Sequence, residues 1–336
     1  MNSLDSLDSL DSSGSLSLIK LTDLPKRGEV GCWAGLYGAA KWIVIAEAVR
    51  RLGKLFVLLV PDVRSVETVT QDFSFFAPDL KIHRLPDWET LAYDRFSPYQ
   101  DIVSERLHTL SEMPQLKTGI VIASIQTAMH RLLPKAWLIQ TTFSMKRGEK
   151  IDRETFRRRL TESGYIASSQ VSGPGEFAVR GSLIDVFPAG SKVPFRIDLF
   201  DEEIDTLRVF DPETQRTIGE VEDINILPGR EFPSDQLGIS EFRRSWRQAF
   251  ARDYLSSPIY QDVSEGLAPA GIEYYLPFFH TEMNLLTDYI PAGSVIVLDE
   301  GIEVAAEGFD KSLEERYEAL SHDVDRPILP RKDLFV

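Results

Sequence analysis

Gly35-Leu-Tyr-Gly-Ala-Ala-Lys41-Trp42 leads into a helix-like stretch, Lys41 to Arg51, and then into Leu55-Phe-Val-Leu-Leu-Val60, which Pro61-Asp62 halts. A glycine-bearing loop (Gly31 to Gly38), a helix and a short apolar run are the parts of an alternating α/β layer. A continuous apolar run of that length reads as a strand buried on both faces. The alternation continues: Val63 to Phe76 reads as a helix, Lys81 to Leu85 as a short strand, Asp101 to Met113 as a helix and Gly119 to Ala123 as a second apolar strand. Strands separated by helices predict βαβ units and a parallel sheet.

Near Trp137 the pattern changes. Asp152 is placed to cap a helix whose inner face carries Phe156 and Leu160. Glu176 to Phe187, Phe195 to Phe200 and Ile204 to Phe210 then alternate with period two. They are joined by turn chemistry at Pro188-Ala-Gly190, Asp201-Glu202 and Asp211-Pro212-Glu213, which predicts a small antiparallel α+β unit. After about Pro228 helical patterns return (Ser240 to Tyr254), and an apolar strand, Val295 to Leu298, runs into Asp299-Glu300. The simplest organisation is an α/β domain in two parts, 21–137 and 228–336, interrupted by an inserted β-rich domain at 138–227. Residues 1–20, with Leu-Asp-Ser repeated from Leu4 to Ser12, lack the apolar surface to offset ordering and are expected to form a disordered tail.

The 336 residues carry a net charge of -15, which disfavours direct nucleic-acid binding, because neutralising phosphates supplies most of that affinity. The single cysteine, Cys32, excludes an internal disulfide and a cysteine-built zinc site. No apolar run approaches the length of a membrane span, and the N-terminus lacks a secretory pattern, so a cytoplasmic protein is expected. His83, His108, His130, His280 and His322 lack metal-ligand spacing. No nucleophile is paired with a base, so neither a catalytic residue, a metal nor a cofactor is expected for this chain.

The opening stretch resembles a phosphate-binding loop with two faults. Such a loop needs Gly-x-x-x-x-Gly-Lys-Ser/Thr: backbone N–H groups wrap the phosphates, the lysine reaches their oxygens and the hydroxyl ligates Mg²⁺. Gly35 and Lys41 are in register at a place suited to a strand-to-helix turn, but Ala40 replaces the second glycine and Trp42 the hydroxyl residue. The tryptophan removes a metal ligand and adds bulk where the metal would sit. Asp299-Glu300 after a buried strand has the form of a Walker B pair. Gly35, Lys41, Asp299 and Glu300 therefore read as a degenerate nucleotide site without useful hydrolysis.

Leu85-Pro-Asp-Trp-Glu-Thr-Leu-Ala-Tyr-Asp-Arg-Phe-Ser-Pro-Tyr-Gln-Asp-Ile102 with Ser104-Glu-Arg-Leu107, Arg180-Gly-Ser-Leu-Ile-Asp-Val-Phe-Pro188, Asp201-Glu-Glu-Ile-Asp-Thr-Leu-Arg-Val-Phe-Asp211 and Pro269-Ala-Gly-Ile-Glu-Tyr274 resemble the signatures of bacterial transcription-repair coupling factors. The excision-repair protein UvrB shares these blocks more loosely. The resemblance runs from about Leu21 to the C-terminus. It implies an α/β fold with a degenerate P-loop, parallel-sheet domain of the RecA/helicase kind, interrupted by an antiparallel β-rich domain. It also implies a module that recruits UvrA, while the ATP- and Mg²⁺-dependent DNA translocase motor and the contact with RNA polymerase lie in other parts of the parent. The alternative is a nucleotide-dependent, damaged-DNA-binding subunit of the UvrB kind, against which Trp42 argues. Between Leu85 and Leu110 there is also no room for the long aromatic hairpin of UvrB. Trp88, Tyr93, Phe96 and Tyr99, set among acids and prolines, read as loop packing rather than a base-stacking set.

In Phe195-Arg-Ile-Asp-Leu-Phe200 the alternation puts Phe195, Ile197 and Leu199 on one face and Arg196 and Asp198 on the other. Arg180 lies one hairpin-like connection earlier, so Arg180, Arg196 and Asp198 can share a solvent face. The family resemblance assigns UvrA binding to these three, although Ala178 and Ile166 stand where related sequences often carry further arginines. The planar arginine fork suits carboxylate recognition. Phe177 and Phe187 read as core, and Arg157-Arg-Arg159 as one wet side of a helix.

Overall fold

A computed structural model describes residues 28–250 and 254–336. The tail expected at 1–20 and residues 251–253 of the expected Ser240–Tyr254 helix lie outside that range, and Tyr254 opens a short 3-10 turn. The chain begins with α1 (Ala40–Leu52), which Gly53 ends in the left-handed conformation at φ 57°, a geometry glycine adopts without strain. β1 (Leu55–Val60) and α2 (Val63–Phe76) follow, and the Asp62 carboxylate accepts from the Ser65 N–H at 2.8 Å to cap α2. Next come β2 (Ile82–Leu85), α3 (Gln100–Glu112), β3 (Gly119–Ser124), α4 (Ile125–Met129) and α5 (Lys135–Thr141). The middle of the chain holds β4 (Phe143–Lys146), α6 (Arg153–Glu162), β5 (Ile166–Ala167), β6 (Glu176–Arg180), β7 (Leu183–Phe187), β8 (Phe195–Phe200), β9 (Glu203–Phe210), β10 (Thr217–Val221) and β11 (Asp223–Ile226). The rest is α7 (Gln236–Ala249), α8 (Pro258–Ser264), α9 (Leu286–Tyr289), β12 (Val295–Leu298), α10 (Ile302–Leu320) and α11 (Arg331–Leu334).

β12, β1, β3 and β2 form, in that order, an all-parallel sheet. Phe56, Leu58, Ile120 and Ile122 face α1 and α2, packing on Val49 and Phe73. Leu55, Val57 and Val121 face the other way, against Leu107 and Leu110 of α3, Leu138 of α5 and Tyr289 of α9. Burial on both faces is why β1 and β3 read as unbroken apolar runs, whereas the edge strand β12, expected to be buried, leaves Ile296 and Leu298 exposed. The fourth strand, β12, returns to this sheet only after the whole antiparallel region has been made.

The antiparallel region is a six-stranded sheet, β10-β9-β8-β7-β6-β5, in which only β5 and β6 run parallel. The Asp152 carboxylate caps α6 through the Thr155 N–H, and Phe156 and Leu160 of that helix pack on Phe177, Ile184, Ile197 and Leu207. The sequence suggests one strand from Glu176 to Phe187. The structure makes two, because Gly181, at φ 61°, turns the chain back on itself. β4 and β11 pair with Phe143 opposite Ile226, so the chain enters and leaves this region side by side.

A third core was not foreseen from the sequence: Trp88 and Tyr93 gather with Phe242, Trp246, Tyr274, Tyr275, Phe278 and Phe335. Trp88 and Tyr93 thus pack as expected, but Phe96 and Tyr99 are exposed. Ser97 takes the inward position between them, donating to Glu273 at 2.7 Å and accepting from the Gly271 N–H at 3.0 Å.

Candidate functional site

The register of β6 to β9 aligns Ala178, Asp185, Arg196 and Arg208 in one cross-strand row and Arg180, Leu183, Asp198 and Thr206 in the next. Side chains alternate along a strand, so these residues project from the face opposite α6. Arg180, Arg196 and Asp198 therefore do share a face. The connection differs from the simple hairpin expected, since β7 lies between the two arginine-bearing strands.

The intervening strand supplies Asp185, whose side chain is 0% exposed. Arg196 grips it with two prongs, Nε to Oδ1 at 2.7 Å and Nη2 to Oδ2 at 2.9 Å. Arg180 reaches the same Oδ2 through Nη2. Arg196 also donates from Nη1 to the Gln215 carbonyl at 3.3 Å and lies over the Phe210 ring at 4.6 Å. The hydrogen bond to Asp185 holds the Arg196 guanidinium above its already high pKa. Arg196 is enclosed, with 15% of its side chain exposed, whereas Arg180 keeps 46%. Asp198 does not join this cluster; it pairs with Arg208 at 3.0 Å. Ala178, Phe187 and Phe210 of these strands form a small buried cluster with Val171 of the β5–β6 connection, so Phe187 is core, as Phe177 is on the α6 side.

Sequence reasoning missed Asp185, although it stands in the quoted Arg180–Pro188 stretch. The signal was a lone acid between inward-facing Ile184 and Val186, legible only once the Gly181 turn puts its strand between the arginines.

The residues expected to form a degenerate nucleotide site are only partly brought together. Lys41 at the start of α1 and Asp299 after β12 form an ion pair, Nζ to Oδ1 at 2.5 Å, while Glu300 is exposed and Gly35 lies in an exposed loop. The described residues before α1 form no strand, so the expected strand-to-helix turn is not shown on its strand side. Trp42 does not fill a metal position. It is buried in the core with its ring 5.8 Å from Phe73, and Lys41 Nζ lies 4.3 Å from that ring. Among the described residues, no helix is long and apolar enough to cross a membrane, and no group of three or more His, Cys, Asp or Glu is arranged to hold a metal.

Residues 143–232, which span β4 to β11, match the UvrB interaction domain family. The chain is 42% identical over 312 residues to the transcription-repair-coupling factor of Escherichia coli K12, covering 93% of this chain and 27% of that protein. It is 40% identical over 297 residues to that of Haemophilus influenzae, covering 88% and 26%, and 30% identical over 331 residues to that of Myxococcus xanthus, covering 91% and 27%. It thus spans about a quarter of the length of these curated relatives. By sequence, the chain is similar over about nine tenths of its length to transcription-repair-coupling factors, and its middle part matches the UvrB interaction domain family.

Proposed function

We propose that this chain is the UvrA-recruiting module of a transcription-coupled nucleotide excision repair factor, with the outer face of β6 to β9 as its docking surface. The observation that carries the reading is the convergence of Arg180 and Arg196 on one sheet face within the stretch that matches the UvrB interaction family. The docking domain is taken as 138–227, inserted between 21–137 and 228–336, and the side-by-side pairing of β4 with β11 supports an insertion.

The flanking α/β part is read as a P-loop-derived, RecA/helicase-like domain that does not turn over nucleotide and needs no cofactor. The Lys41–Asp299 pair supports this: the ammonium that would meet phosphate is neutralised within the protein. ATP-driven movement on DNA and contact with RNA polymerase are proposed for the rest of a full-length parent, in the cytoplasm.

Calorimetry of UvrA against the wild-type chain and an Arg180→Glu/Arg196→Glu variant tests the proposal. Wild-type binding weakened by about a hundredfold or more in a folded variant is expected, since arginines anchor interfaces and reversed charges repel. Unchanged affinity in the variant moves the site elsewhere, and no binding by the wild type removes the function from this chain.

A further inference from the structure

Arg180 and Arg196 reach one face from strands that do not touch each other, and what joins them is the carboxylate of Asp185 on the strand between. A carboxylate withdrawn from solvent, with its side chain 0% exposed, costs several kcal/mol in desolvation unless it is paired. Here both of its oxygens accept from guanidinium groups, and the two-pronged bond to Arg196 fixes a plane as well as a distance. The Phe210 ring and the Gln215 carbonyl close on the same guanidinium. An arginine has five N–H donors; with Nε, one Nη1 and one Nη2 hydrogen engaged, Arg196 retains two, and Arg180, bonded through one Nη2 hydrogen, retains four. Without Asp185 two like charges would crowd one patch and each side chain would regain its rotamer freedom.

We infer that Asp185 is a positioning residue for the docking face: its enclosed carboxylate brings Arg180 and Arg196 together and fixes the direction in which their spare donors meet the partner. This rests on the proposed UvrA docking, and it adds that affinity depends on a residue the partner does not touch. Preorganised arginines bind more tightly than free ones because ordering them has been completed before association.

The test measures UvrA binding by calorimetry for the full chain as wild type, Asp185→Asn, Arg180→Ala/Arg196→Ala and the triple variant. Asparagine keeps the shape and removes the charge. Asp185→Asn alone is expected to weaken binding about thirtyfold, because the ordering of two arginine side chains must then be met on association. In the triple variant it is expected to add no further loss, because its effect runs through the arginines. NMR supplies a second readout: the Arg196 Nε–H signal should change while backbone amides of Ile197 and Leu207 stay in place. Wild-type affinity in Asp185→Asn, beside weakened binding in Arg180→Ala/Arg196→Ala, overturns the positioning role and leaves the docking face intact. An equal loss with and without the arginines marks a general sheet defect and overturns it too. Wild-type affinity in Arg180→Ala/Arg196→Ala removes the docking face itself, and the inference with it. Should Asp185→Asn fail to fold, Arg196→Lys decides: it keeps the charge but not the two-pronged bond, so full affinity in that variant refutes positioning.

Discussion

Replacing Arg106 with methionine removes a cation from a place where solvent cannot compensate. Arg106 and Glu231 have side chains 1% and 2% exposed, and Nε meets Oε1 at 2.5 Å. The guanidinium also donates to the Pro86 carbonyl at 2.6 Å and lies 5.3 Å from the Trp88 ring, whose indole N–H donates to the same Oε1 at 3.3 Å. Methionine leaves Glu231 enclosed without its cation, and breaking a buried pair from one side costs about 3–5 kcal/mol. The geometry is nevertheless incomplete: Arg106 Nη2 and Glu231 Oε2 are both buried without a partner. A pair that leaves donor and acceptor unmet gains little over well-packed apolar replacements, so Arg106→Met/Glu231→Leu should recover more than half of the single-variant loss. The assay is urea unfolding followed by tryptophan fluorescence, which reports the aromatic core around Trp88 and Trp246. The four proteins form a double-mutant cycle, with an expected coupling of roughly 2 kcal/mol or more. Additive costs, or a loss in Arg106→Met below about 1 kcal/mol, would refute the argument.

Three further outcomes follow from the same chemistry. Burial pushes the Glu273 carboxyl up to about 7 against the hydrogen bond from Ser97, so the folded chain holds this proton more tightly than the unfolded one. Its contribution is present below pH 4.5 and lost as pH rises through about 7. Glu273→Gln should therefore match the wild type at pH 4.5 and exceed its stability at pH 8 by up to about 3 kcal/mol, and a difference independent of pH would count against it. Burial pushes His130 and His280 down to about 4, which works in the opposite sense. Unfolding favours their protonation, so stability is expected to fall as pH drops from 6.5 towards 4, and His130→Gln/His280→Gln should flatten that limb of the urea-midpoint profile. With Lys41 paired to Asp299 and no hydroxyl at position 42, neither the wild type nor Asp299→Asn should give a saturable heat with Mg²⁺-ATP; such a heat from the wild type would end the reading of a relic.

The parallel sheet was legible through its two central strands, β1 and β3, which are buried on both faces and leave apolar runs such as Leu55–Val60 that no solvent-facing residue interrupts. The β8 strand was legible for the opposite reason: one face is wet, so Ile197 and Leu199 alternate with Arg196 and Asp198. Three things were hidden. The Gly181 turn was passed over inside a run that reads as one strand, although Gly181-Ser182 between Arg180 and Leu183 is a two-residue hairpin loop. Asp185 followed it into obscurity, since its meaning depends on which strand lies beside it. The aromatic core draws on Trp88, Trp246, Tyr274 and Phe335, too far apart in sequence for any local period to connect them. Trp42 misled because a motif reading assigns it the position of a metal ligand, while helix geometry turns it towards Phe73.

The two halves of the proposed function make opposite demands on charge, and the structure meets them with the same device. A docking face must present cations, and a nucleotide site that no longer works must retire one. Arg196 and Lys41 are both held by an aspartate and both lie over an aromatic ring, Phe210 and Trp42. The difference is in what remains free. Beside Asp185 a second arginine, Arg180, keeps nearly half of its side chain in solvent, so the pairing organises a patch that still carries outward donors. Beside Asp299 the one carboxylate meets the one ammonium, leaving no excess charge for an anion. In the proposed docking surface, the number of guanidinium groups that share Asp185 therefore sets how much positive charge is left to face outward, while the sheet that displays them stays the same.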